Sequence, residues 1–125
     1  MAQDFPIWHV NANGARPRLE ELRAATSSAA VVSIQETRLP PDIDASFWAR
    51  HWPSFRAYSI PHDTEGVGVA LLVRACLRQR EVFRVSSDRH RLLGVEVNLP
   101  RGRRLCVSTL YFSPSTIFDE QLLRL

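Results

Sequence analysis

The chain contains no lysine; all 16 of its cations are arginine. Codon bias toward G and C accounts for part of that. Arginine also suits phosphate, because its planar fork gives bidentate hydrogen bonds. Cysteine is scarce, with Cys76 and Cys106 alone. No CxxC pair or Cys/His ligand spacing occurs, which excludes an ordinary zinc site and fits a reduced intracellular setting. There is no Asn-x-Ser/Thr sequon and no basic stretch followed by an apolar run at MAQDFPIWHV, so no secretory signal is expected. Long apolar runs are missing too. The longest, Val67 to Val73, is far short of the roughly 20 residues a membrane helix needs, so no membrane partner is expected. What remains is 125 residues, 45% hydrophobic and 23% charged, enough for one domain with one core.

The net charge of +3 is spread unevenly. Residues 1–73 carry 6 arginines against 8 acids, residues 74–104 carry 9 against 3, and residues 105–125 carry 1 against 2. A basic middle beside an acidic start has the form of a nucleic-acid footprint next to a metal site. Solvated hairpin loops rich in arginine would give the same count.

The predicted elements are short and densely spaced. Ile7-Trp8-His9-Val10 reads as a strand ending at the turn cluster Asn11-Ala12-Asn13-Gly14. Pro17 to Ala25 reads as a short helix, with Pro17 at its start and Leu19 and Leu22 on one face. Ala30 to Ile34 is the next strand, running into Gln35-Glu36-Thr37. After Pro40-Pro41, Asp44 is placed to cap a helical turn carrying Phe47, Trp48 and Trp52. Phe55 to Ile60 and Gly66 to Val73 read as strands, the second buried because it is continuously apolar. Leu77 to Val85, Leu92 to Asn98 and Leu105 to Tyr111 follow as strands, with a hairpin connection over 98–103. Thr116-x-x-Asp119 resembles a capping box opening a last helix with Phe118, Leu122 and Leu125 as its apolar stripe. No Gly, Asn or Pro closes that helix; a natural domain can end this way, and a chain cut inside a longer domain would look the same. The order predicts an α/β layered domain.

Three places could carry chemistry, each at a strand end. An amide of Asn11 or Asn13 can hold a phosphate oxygen or a metal-bound water, although Asn and Gly also simply make turns. The carboxylate of Glu36 leaves an apolar strand at a sheet edge, where a hard cation such as Mg²⁺ takes oxygen ligands. Tyr111 closes the strand Leu105 to Leu110; an aromatic there also serves as a core or rim residue.

Taken together, Trp8-His9-Val10-Asn11-Ala12-Asn13-Gly14, Ile34-Gln35-Glu36-Thr37-Arg38-Leu39, Gly66-Val67-Gly68-Val69-Ala70-Leu71-Leu72-Val73-Arg74 and Leu110-Tyr111-Phe112-Ser113-Pro114 resemble the endonuclease/exonuclease/phosphatase superfamily. The wording is most similar to the endonuclease domain of non-LTR (LINE-type) retrotransposons. The resemblance spans residues 7–125 and covers about the first half of that domain. It implies a layered β-sandwich with flanking helices, of which this chain, residues 1–125, would build one mixed, largely antiparallel sheet plus helices. An uncovered apolar inner face would follow. It implies a DNA endonuclease activity dependent on Mg²⁺ or Mn²⁺, DNA as partner, the rest of a reverse-transcriptase-bearing polyprotein as a further partner, and a nuclear location. Glu36 matches the family's metal-ligand glutamate and Asn11 the asparagine supporting metal and phosphate. Asn13 falls where some relatives place an aspartate, and Tyr111 matches a tyrosine touching the scissile phosphate. Arg38, Arg74, Arg101 and Arg103 are the candidates for nucleic-acid contact.

The chain departs from the family pattern in lacking its later Asp-x-Asn and Ser-Asp-His motifs. Ser87-Asp88-Arg89-His90 looks like the second with an insertion, but it precedes the Tyr111 strand and reads as a solvated turn. His9-Val10 stands where relatives often have Trp directly before the Asn, and His62-Asp63-Thr64-Glu65 where they have a basic loop. The expectation is therefore a chain that binds the metal weakly and does not cut DNA alone. The competing readings are a non-catalytic arginine-rich nucleic-acid-binding module and a superfamily member acting on small phosphoesters.

Overall fold

The computed structural model describes residues 5–63, 67–87 and 90–112. The last predicted helix lies outside them. Among the described residues the chain forms two sheets and two helices, a sandwich-like α/β arrangement.

The first sheet has the order β1-β2-β4-β3, built from β1 (Ile7–Asn11), β2 (Val31–Gln35), β4 (Val69–Arg74) and β3 (Phe55–Ile60). β1 and β2 are parallel, with Asn11 opposite Gln35, and the other pairs are antiparallel. A parallel neighbour needs a crossover. That crossover is a 3-10 turn at Arg16–Arg18 followed by α1 (Leu19–Thr26), so Pro17 opens the turn and the α-helix starts two residues later. β2 and β4 hold the centre and are buried on both faces along most of their length. One face packs Val32, Ile34, Ala70 and Leu72 under α1 and α2 (Pro41–His51), with Leu22, Phe47, Trp48 and Trp52.

Asp44 does not cap α2. Pro40 takes that place and Pro41 the first helical position, where its missing N–H costs nothing. Asp44 is thereby carried one turn in and buried. Its carboxylate accepts hydrogen bonds from Trp48 Nε1 at 3.1 Å and from the Ser59 hydroxyl.

The expectation of one sheet is corrected. β5 (Gln79–Ser87), β6 (His90–Asn98) and β7 (Arg104–Phe112) form a second, antiparallel sheet of their own, ordered β5-β6-β7. The reason is apolar pairing between layers. Leu93, Val95 and Val97 on β6 and Val107 on β7 bury against Val31, Val69, Leu71 and Val73. Each such side chain contributes about 1.5–3 kcal/mol when fully buried. The inner face of β2 and β4 is therefore covered, contrary to the bare face expected. The exposed large apolar side chains sit elsewhere: Ile7 and Trp8 on edge strand β1, Val82, Phe83 and Val85 on edge strand β5, and Leu110 on β7.

Several side-chain hydrogen bonds cross between the layers, among them Tyr58 to Gln79 Oε1 at 2.9 Å and Arg84 to the Ser59 carbonyl at 2.6 Å. The Ser33 hydroxyl donates to Thr109 Oγ1 at 3.0 Å, and Gln35 Nε2 donates to the Leu110 carbonyl. His9 Nδ1 lies 3.0 Å from the same Ser33 hydroxyl. No described helix is long and apolar enough to cross a membrane.

Candidate functional site

Because β1 and β2 run parallel, both deliver their C-terminal ends to one rim. Asn11 ends β1, and Glu36 follows β2 directly. The loops leaving them are laced by backbone bonds: Ala12 N–H to the Gln35 carbonyl at 2.9 Å, Gly14 N–H to Glu36 at 2.8 Å and Ala15 N–H to Thr37 at 2.9 Å. The residue before β4 adds a fourth, from Thr37 N–H to the Gly68 carbonyl at 3.0 Å.

That lacing holds an uncommon backbone. Asn13 (φ 48°), Glu36 (φ 54°) and Arg38 (φ 54°) all occupy the left-handed region. Asn tolerates it; Glu and Arg do so only when their surroundings fix them there. Alternation around Thr37 is the outcome. Thr37 is fully buried, while the Glu36 and Arg38 side chains are 21% and 52% exposed.

The side chains form one chain of contacts. The Asn13 backbone N–H donates to Asn11 Oδ1 at 3.1 Å, and Arg38 Nη2 donates to Asn13 Oδ1 at 2.9 Å. The same guanidinium nitrogen stands 3.9 Å from Glu36 Oε1. Tyr111 arrives from the second sheet, close enough for the Glu36 and Arg38 charges to act on its phenol. Burial pushes the phenol above its ordinary 10.0, the Glu36 charge pushes it further, and Arg38 opposes both. Tyr111 is thus a neutral hydrogen-bond donor across the physiological range.

Asn11, Asn13, Glu36, Arg38 and Tyr111 accordingly meet at one rim. Arg74, Arg101 and Arg103 do not. Arg74 ends β4 at the opposite pole, where it donates to the Ala29 and Ser27 carbonyls and stacks on Phe55 with its guanidinium 4.3 Å from the ring centroid. Arg101 and Arg103 lie in the hairpin before β7. Behind the rim stand residues that sequence reasoning passed over. Arg91 is fully buried on β6 beside Tyr111 and pairs with Asp63 at 2.6 Å. Thr37 Oγ1, His62 Nδ1 and Arg91 Nε are buried without a hydrogen-bond partner. Polar atoms so placed are ordinarily met by ordered water. Arginine in an alternating strand carries no sequence signal that it will point inward.

The donor set offers a cation hard oxygens only: one carboxylate, two amides and a phenol. Among the described residues no group of three or more His, Cys, Asp or Glu side chains gathers. Mg²⁺ is commonly bound by one or two carboxylates and completed by water and phosphate oxygens, so the set fits a shared site rather than a closed cage. No protein-family model matches the chain, and no curated protein matches it.

Proposed function

We propose that the Glu36 rim is the metal-binding half of a Mg²⁺-dependent phosphodiesterase site of the endonuclease/exonuclease/phosphatase kind, with DNA as the substrate. The observation that carries this reading is the strained backbone at Glu36. Its carboxylate is held at a rim, at an energetic cost, beside neutral donors and one arginine. Glu36 would hold the cation, with Asn11 turned toward it. A bound Mg²⁺ would supply Lewis-acid polarisation of a phosphoryl oxygen. Tyr111 would donate to a non-bridging phosphate oxygen, and Arg38 would leave Glu36 to pair with the phosphate charge. The further assignments, to retrotransposon endonucleases and to a nuclear setting, rest on the sequence resemblance.

One carboxylate does not supply both a metal ligand and a base for water. General acid–base help is worth about 10²–10⁴-fold, so the chain by itself should not nick supercoiled plasmid at a useful rate. The binding test is a Mn²⁺ relaxation or calorimetric titration of the wild type and Glu36→Gln. Weak binding that disappears in the variant is expected; equal binding by both refutes the site. Plasmid nicking that is lost in Glu36→Gln would instead mean that the chain is a complete enzyme.

A further inference from the structure

Apart from Arg74, which is held at the end of β4, the described arginines of the basic middle segment divide between two places. Arg84 and Arg91 lie toward the rim and are spent: Arg84 on Glu81 at 2.7 Å and on the Ser59 carbonyl, Arg91 on Asp63. Arg78, Arg80, Arg101, Arg103 and Arg104 gather at the other end, where β5 begins, β6 ends and β7 begins. All five are exposed. Only Arg80 among them has a carboxylate partner among the described residues, Glu96 at 3.4 Å. Arg78, Arg80 and Arg104, with Asn98 and Glu96, line an open groove of about 390 Å³.

The hairpin beside that groove breaks a turn rule in favour of charge. Leu99 N–H closes it onto the Arg103 carbonyl at 2.8 Å, and both Arg101 (φ 66°) and Gly102 (φ 71°) are left-handed. Asn or Gly is the inexpensive residue for such a pair. An arginine held there at a conformational cost lifts one more guanidinium beside the groove.

We propose that this pole is a binding site for the phosphate backbone of nucleic acid, separate from the Glu36 rim. A row of exposed, bidentate donors along two strand ends and a hairpin, four of the five without a carboxylate partner among the described residues, matches a linear ligand with regularly repeated charge. The pole contacts phosphates and reads no base. β7 joins the two sites: Arg104 and Tyr111 stand at its opposite ends, and seven residues at roughly 3.3 Å each separate them by about 23 Å. That is about seven nucleotide steps at 3.4 Å per strand. Only this offset rests on the phosphodiesterase reading; binding at the pole does not.

The test is salt-dependent binding of a short labelled DNA duplex by the full chain, with a chelator present so that the metal site plays no part. Arg78→Gln with Arg104→Gln should lower the slope of log K against log salt by about 2, and Arg101→Gly by about 1. Arg101→Gly also relieves the turn, so weaker binding with an unchanged or higher Tm cannot come from unfolding. Arg18→Gln with Arg50→Gln removes the same charge from the turn before α1 and from α2, and should change the slope by less than half as much as the pole pair. Equal effects of the two pairs, or no effect at the pole, would overturn the proposal. So would displacement of the duplex by poly-glutamate of matched charge, which would mark an unspecific polyanion surface. Mn²⁺ binding by Glu36→Gln, lost or retained, judges the rim independently of the pole.

Discussion

The phenol of Tyr111 reports on the carboxylate beside it. Burial accounts for the largest part of its upward displacement, and the Glu36 charge adds to it. Replacing Glu36 by Gln removes the charge and should bring Tyr111 back toward 10.0. Only Tyr58 and Tyr111 titrate as phenols, so phenolate absorbance against pH resolves the change. An unmoved titration would separate Tyr111 from Glu36. Asp44 offers a second titration. Burial raises its pKa above 3.8, against the pull of Ser59, Trp48 and Arg84. Folding therefore favours the protonated acid. Stability from this group is present at low pH and falls as pH rises from 3.8 through the higher folded value. Asp44→Asn keeps an acceptor for Trp48 and gains a donor for the Ser59 oxygen. It should melt above the wild type at pH 7, with the difference closing below pH 3.8.

At the scale of elements, glycine marks where strands approach too closely for a side chain. A Cβ on Gly68 would lie 2.2 Å from Thr37 Oγ1 and 2.9 Å from both His62 N and the Ile60 carbonyl. Backbone would have to yield, so Gly68→Ala should cost about 1–3 kcal/mol in urea unfolding. Gly94→Ala meets only the ring of half-exposed Phe83, at 2.2 Å, and that ring can swing aside at lower cost. The strands themselves were legible from local pattern. The apolar run through Val69 to Val73 became β4, and the Asn-Ala-Asn-Gly cluster became the turn after β1. What stayed hidden depends on partners distant in sequence. Leu93, Val95 and Val97 alternate in the same way whether they join the first sheet or cover it. Asp44 resembles a cap until Pro40 and Pro41 set the helix start, and Arg91 meets Asp63 only after folding. The left-handed turn at Glu36 carries no glycine to announce it.

At the scale of the whole molecule, the two sheets meet through valine and leucine faces. Apolar contact of that kind has no direction and sets no alignment of its own. Directed bonds between the layers supply it: Tyr58 with Gln79 and Arg84 with the Ser59 carbonyl on the β3 side, and, nearest the rim, Ser33 with Thr109 and Gln35 with the Leu110 carbonyl, which act as a vernier. Two adjacent marks on β2 meet two on β7 and fix how far one layer has slid over the other. The setting matters because Glu36 travels with one scale and Tyr111 with the other. Ser33→Ala combined with Thr109→Val erases one mark while leaving no buried hydroxyl unpaired. Stability should change by no more than about 1 kcal/mol. The amide resonances of β7 should nevertheless broaden or double, and the Tyr111 titration should fall toward 10.0 with Glu36 still in place. A sharp single set of resonances with an unshifted titration would mean that the remaining contacts hold the layers in step without this pair.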